Sequence, residues 1–79
     1  MNAQHKAIRA LLNAMAPRRA IEHIKSFELP AEEELYLIEC DVRRKSCVQA
    51  AEDNHTTPEV VKRRKMSAYA HIADAMNNL

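Results

Sequence analysis

The chain contains no glycine in 79 residues. That excludes every phosphate-cradling glycine loop, the P-loop and the dinucleotide fingerprint alike. It also disfavours two-residue hairpins, which depend on positive φ, and with them most sheet folds. Any left-handed corner must be made by Asn, Asp or His at some strain. The apolar 47% is mostly Ala, Leu, Ile, Val and Met, while aromatics make up 4%. Such side chains suit closely packed helices without large ring anchors. A single domain this small buries only about 60% of its unfolded surface, which leaves little room for a deep enclosed site. A binding surface is therefore the expected business end.

Apolar residues recur at helical spacing. Ile8, Leu11, Leu12 and Met15 predict a helix from about Asn2 to Met15. Pro17 ends it or opens the next, and Ala20, Ile21, Ile24 and Phe27 mark a short second helix. Pro30 restarts the chain, with Glu32, Glu33 and Glu34 at the positive end of a third helix. Its predicted apolar stripe is Ala31, Leu35, Ile38 and Val42, and Arg43, Arg44 and Lys45 close it. Ser46 reads as an N-cap with Gln49 three residues on, and Val48 and Ala51 as the buried face of a short fourth helix. Asp53 to Thr56 reads as a turn, with Asn54 or His55 left-handed. Thr57 as N-cap, Pro58 at the first position and Glu59 open a long last helix. Its stripe of Val61, Ala68, Ile72, Ala75 and Met76 runs nearly to Leu79. The expected fold is all-α, four to five short helices with a C-terminal helix-turn-helix. Residues 1–28 read as an N-terminal helical arm and 29–79 as the helix-turn-helix domain, together one compact unit.

The net charge of +1 decides nothing, but its distribution does. Glu28, Glu32, Glu33, Glu34, Glu39 and Asp41 form an acidic middle without a compensating base. Two tight basic knots follow, at 43–45 and 62–65, and the first 25 residues carry Lys6, Arg9, Arg18, Arg19 and Lys25 against Glu22. No apolar leader is visible, and no run approaches the ~20 residues of a membrane span. A cytoplasmic protein with Cys40 and Cys47 as reduced thiols is expected.

Residues 46–66 carry the functional reading: a short helix, a tight turn and a longer helix with a basic start. Ala51 supplies a small residue where the two helices cross, and Val61 an apolar anchor. With Val61 as the core direction at about 100° per residue, Glu59 and Arg63 lie about 160° away on opposite sides, Met66 about 140° and Lys62 about 100°. These four form one outward face able to enter a major groove. Arg and Lys suit guanine, Glu suits the cytosine amino group and Met the thymine methyl. Arg43, Arg44, Lys45, Arg64 and Lys65, with Ser46 and Thr57 at helix starts, are the candidate phosphate contacts.

Residues 29–72 resemble the fourth region of bacterial sigma factors and related small phage regulators. The matching pieces are Leu29-Pro30, Glu32 to Leu35, Ser46, Ala51-Glu52, Thr57 and Val61-Lys62-Arg63-Arg64. The resemblance implies a transcriptional regulator of double-stranded DNA that can contact RNA polymerase, with Glu59, Lys62 and Arg63 reading bases. The chain departs from the family pattern at His55, where the family has a turn glycine, at Thr56 and at Lys65.

Two other uses of the same features are a viral DNA-packaging subunit of the small terminase type and a helical protein–protein adaptor that binds no DNA. One module buries limited area, so a homodimer or polymerase contact is expected to support binding. His23, Cys40, Cys47 and His55 lack metal-ligand spacing, so no metal is expected. No acid/base pair or phosphate loop is legible, so neither an enzyme nor a cofactor is expected. Tyr36 and Tyr69 read as core-rim residues and His71 as packed near the core stripe.

Overall fold

The computed structural model describes residues 3–78, which form five α-helices and no strand. These are α1 (Ala3–Ala14), α2 (Pro17–Lys25), α3 (Ala31–Leu37), α4 (Cys47–Asp53) and α5 (Pro58–Asn77), with α3 running on into a π-helical turn over Ile38–Val42. The all-α expectation holds. The predicted helix start at Asn2 and the end of the last stripe at Leu79 lie outside the described residues.

Local chemistry sets the boundaries. The Ser46 Oγ accepts from the Gln49 amide at 3.0 Å, and the Thr57 Oγ1 from the Val60 amide at 3.3 Å. Each hydroxyl thus satisfies an amide that the first turn of a helix leaves without a carbonyl. The Gln49 side chain does not return to Ser46; it donates to Asp53 Oδ1 at 2.9 Å, one turn on.

Without glycine, three corners use other residues at positive φ: Glu28 at 52°, Arg44 at 61° and His55 at 55°. His55, not Asn54, takes the left-handed position after α4. The Thr56 amide reaches back to Ala51 O at 2.9 Å and the His55 amide to Glu52 O at 3.3 Å, the two bonds of a Schellman close. Left-handed geometry costs an L-residue roughly 1–2 kcal/mol, and glycine gives back about 0.5–1 kcal/mol through unfolded-chain entropy. His55→Gly is therefore expected to stabilise the domain by about 0.5–1 kcal/mol, raising its melting temperature by a few degrees. Thermal unfolding followed by circular dichroism checks this. A lower midpoint for the glycine variant would refute the strain assigned to this corner.

Twenty residues make α5 about 30 Å long, and it spans two apolar clusters. Toward its C-terminal half, Ala68, Tyr69, Ile72 and Ala73 pack with Ile8 and Leu12 of α1, Ile24 of α2 and Leu37 of α3. Toward its N-terminus, Val61 packs with Ala50 and Ala51 of α4 and with Tyr36 and Cys40. Helices α1 and α2 thus share one core with α3 and α5.

Several predicted faces are rotated. The buried side of α3 and its π turn is Glu33, Tyr36, Leu37, Cys40 and Asp41, while Leu35 is exposed and Ile38 and Val42 are half-buried. Val48 of α4 is 55% exposed, and Ala50 joins Ala51 in its place. The α5 stripe ends at Ala73, with Ala75 and Met76 exposed. Tyr36 and Tyr69 lie inside the core, not at its rim. His71 is exposed and bonded to an acid instead of packed.

Candidate nucleic-acid interface

The start of α5 is built from one buried anchor and an outward quartet. Val61 is fully buried, whereas Glu59, Lys62, Arg63 and Met66 are exposed. The turn Asn54 to Thr57 holds α4 against this end, and Ala51 and Val61 meet in one cluster. Asn54 ties the turn to α4, its Nδ2 donating to Ala50 O at 2.8 Å.

The basic residues divide into two kinds. Lys62 and Arg63 make no ion pair among the described residues, so their charges face solvent uncompensated. The other bases of the two knots, at 43–45 and 62–65, are engaged. Arg64 Nε sits 3.1 Å from Glu32 Oε2 on α3. Lys45 Nζ bridges Glu39 and Asp53, 2.8 Å from each, and Arg43 stands 4.0 Å from Glu39. The Lys45 pairing holds the Asp53 carboxyl below its ordinary range, first through this hydrogen bond and then through that from Gln49. Arg44 donates to Asn13 O at the end of α1 at 3.3 Å, where a cation suits the helix terminus. Ser46 and Thr57 are exposed at their helix starts.

Lys65 differs from its neighbours. It lies one turn beyond Val61, about 40° from the core direction, and its side chain is only 12% exposed. Its ammonium stands 3.4 Å from Asp41 Oδ1, and the other oxygen of that buried carboxylate accepts from the Tyr69 hydroxyl. Burial, then the bond to Asp41, pushes the Tyr69 hydroxyl far above the usual phenol range. A second buried acid, Glu33, accepts from Ser67 Oγ at 2.9 Å and pairs with His71 Nδ1 at 2.7 Å. These two acids fasten the acidic helix to α5. Sequence reasoning missed both, because it assigned acids to solvent. The signal was their spacing: Glu33, Leu37, Cys40 and Asp41 recur at i, i+4, i+7 and i+8, a helical stripe that includes acids.

A shallow open pocket beside the outward quartet is lined by Cys47, Lys62, Lys65, Met66 and Tyr69. The cysteines are free thiols, Cys40 buried and Cys47 half-buried. Burial pushes the Cys40 thiol up to about 11, which keeps it protonated and unreactive near neutral pH. Among the described residues, no three His, Cys, Asp or Glu side chains gather as a metal site would require, and no helix is long and apolar enough to cross a membrane. No known protein family, curated protein or solved structure matches the chain.

Proposed function

We propose that the chain binds duplex DNA at specific sequences and regulates transcription, with α4 and α5 acting as a helix-turn-helix and the first half of α5 entering the major groove. One observation carries the reading: Lys62 and Arg63 are exposed and unpaired on the side of α5 away from Val61, while their basic neighbours are tied to acids. A helix that turns uncompensated Lys and Arg outward near its start, held at a fixed angle by a short partner helix, has the layout that reads base edges. Glu59 and Met66 flank them on the same face. Arg43, Arg44, Arg64 and the helix starts at Ser46 and Thr57 are the phosphate contacts of this reading.

A single module of this size binds weakly. Exposed Leu11 on α1 and Met76 at the end of α5 offer apolar surface for a second copy or for RNA polymerase. Selection of bound duplexes from a random pool tests the function. A recovered consensus is expected, and a palindromic one would report a dimer. A pool that stays random, with no retention even at low salt, would overturn the proposal in favour of a protein–protein adaptor.

A further inference from the structure

The cluster in which Val61 and Ala51 pack, joining α4 to α5, contains no α1 residue. Yet α1 packs against α5, with Ile8 and Leu12 in one cluster with Ala68, Tyr69, Ile72 and Ala73. The link is Tyr69. Its ring packs on that of His5, with centroids 5.6 Å apart, and its edge lines the same pocket as Lys62, Lys65 and Met66. One turn after His5 comes Arg9, exposed to solvent. One turn further is Asn13, whose carbonyl receives the Arg44 guanidinium at 3.3 Å. His5, Arg9 and Asn13 are spaced one turn apart on α1, so Arg9 lies between the contact with Tyr69 of α5 and the contact with Arg44 after the π turn. Asp41 is buried and already occupied by Lys65 and Tyr69, and Glu39 is taken by Lys45 and Arg43. Neither is available to neutralise Arg9.

We propose that Arg9 of α1, with Arg44, extends the DNA interface beyond α4 and α5 by contacting the phosphate backbone beside the groove that α5 reads. This rests on the DNA-binding reading above and gives the N-terminal helix a part in it. Such contacts add affinity without sequence preference, because every site offers the same phosphates.

The test is the salt dependence of binding to the duplex recovered by selection, measured by fluorescence anisotropy on the full chain. Removing one cation from the phosphate backbone should flatten the slope of log affinity against log salt by about 0.9. Arg9→Gln is expected to show that change, with several-fold weaker binding to cognate and random duplexes alike and an unchanged melting temperature. Arg9→Lys is expected to restore most of the slope. Lys25→Gln, on α2 and paired with Glu34 at 3.7 Å, is expected to leave it unaltered. An Arg9→Gln slope equal to that of the wild type, with Lys62 and Arg63 still required, would overturn the role of α1 alone. Absence of DNA binding by the wild type would overturn both readings together.

Discussion

Replacing Lys62 and Arg63 together with alanine is expected to abolish sequence-specific DNA binding and to leave the fold intact. A base contact of this kind contributes about 1–3 kcal/mol, so two of them correspond to roughly thirty-fold to ten-thousand-fold in affinity if they act independently. Adjacent residues on one helix share the same groove, so the measured loss can depart from the sum in either direction. The fold is indifferent to them because both side chains are exposed and neither forms an ion pair among the described residues. Alanine also has the highest helix propensity. The measurement is a titration of the selected duplex at fixed salt, beside thermal unfolding of the same samples. An affinity for the selected site equal to that of the wild type would remove the reading face. Loss of binding with a large fall in melting temperature would mean that these residues hold the structure instead of the nucleic acid.

The helices were legible in the sequence wherever local chemistry acts alone. Thr57-Pro58-Glu59 and Ser46 through Gln49 start helices at the expected places, since a hydroxyl cap and a first-turn proline work without tertiary help. Val61 and Ala51 were legible because an apolar or small residue at a helix crossing has few alternatives. The faces of α3 and α4 were not. Apolar pattern alone favoured Leu35 and Val48, which are exposed, over Tyr36 and Ala50, which are buried. Helix α3 is covered on two sides, Leu37 and Ile38 toward α1 and α2, Tyr36 and Cys40 toward α4. Two-sided contact of that kind smears the period that a single buried face would print. The acids hid the rest. Glu33 and Asp41 lie on the buried side, which becomes tolerable only when Ser67, His71, Lys65 and Tyr69 arrive on α5, far along the chain. For the basic residues, exposure on a helical wheel was readable, but pairing was not. Lys62 and Lys65 look alike in sequence, yet one faces solvent and the other neutralises a core carboxylate.

That core carboxylate is where the largest loss of stability is expected. Asp41 is 3% exposed, and its two oxygens serve Lys65 and Tyr69 from α5. Truncation in Asp41→Ala leaves an ammonium that is 12% exposed without its counter-ion and a fully buried phenol without an acceptor. Breaking a buried pair from one side costs about 3–5 kcal/mol, because the stranded partner keeps its desolvation penalty. A domain of this length has only about 4–12 kcal/mol of stability in total, so the variant should be largely or partly unfolded at 37 °C. Urea unfolding read by the helical circular dichroism signal gives the comparison. Asp41→Asn keeps an acceptor for Tyr69 but no charge for Lys65, and should fall between the wild type and Asp41→Ala. Removing all three polar groups together, in Asp41→Leu with Lys65→Met and Tyr69→Phe, should recover most of the loss, since apolar side chains of similar volume carry no desolvation cost. That ordering identifies the cause, because a merely volume-dependent effect would not place the asparagine variant between the other two. An Asp41→Ala midpoint within experimental error of the wild type would show that the acid contributes nothing to the joint between α3 and α5. Lys65 would then be released from its structural role and counted with Arg64 among the cations available to phosphate.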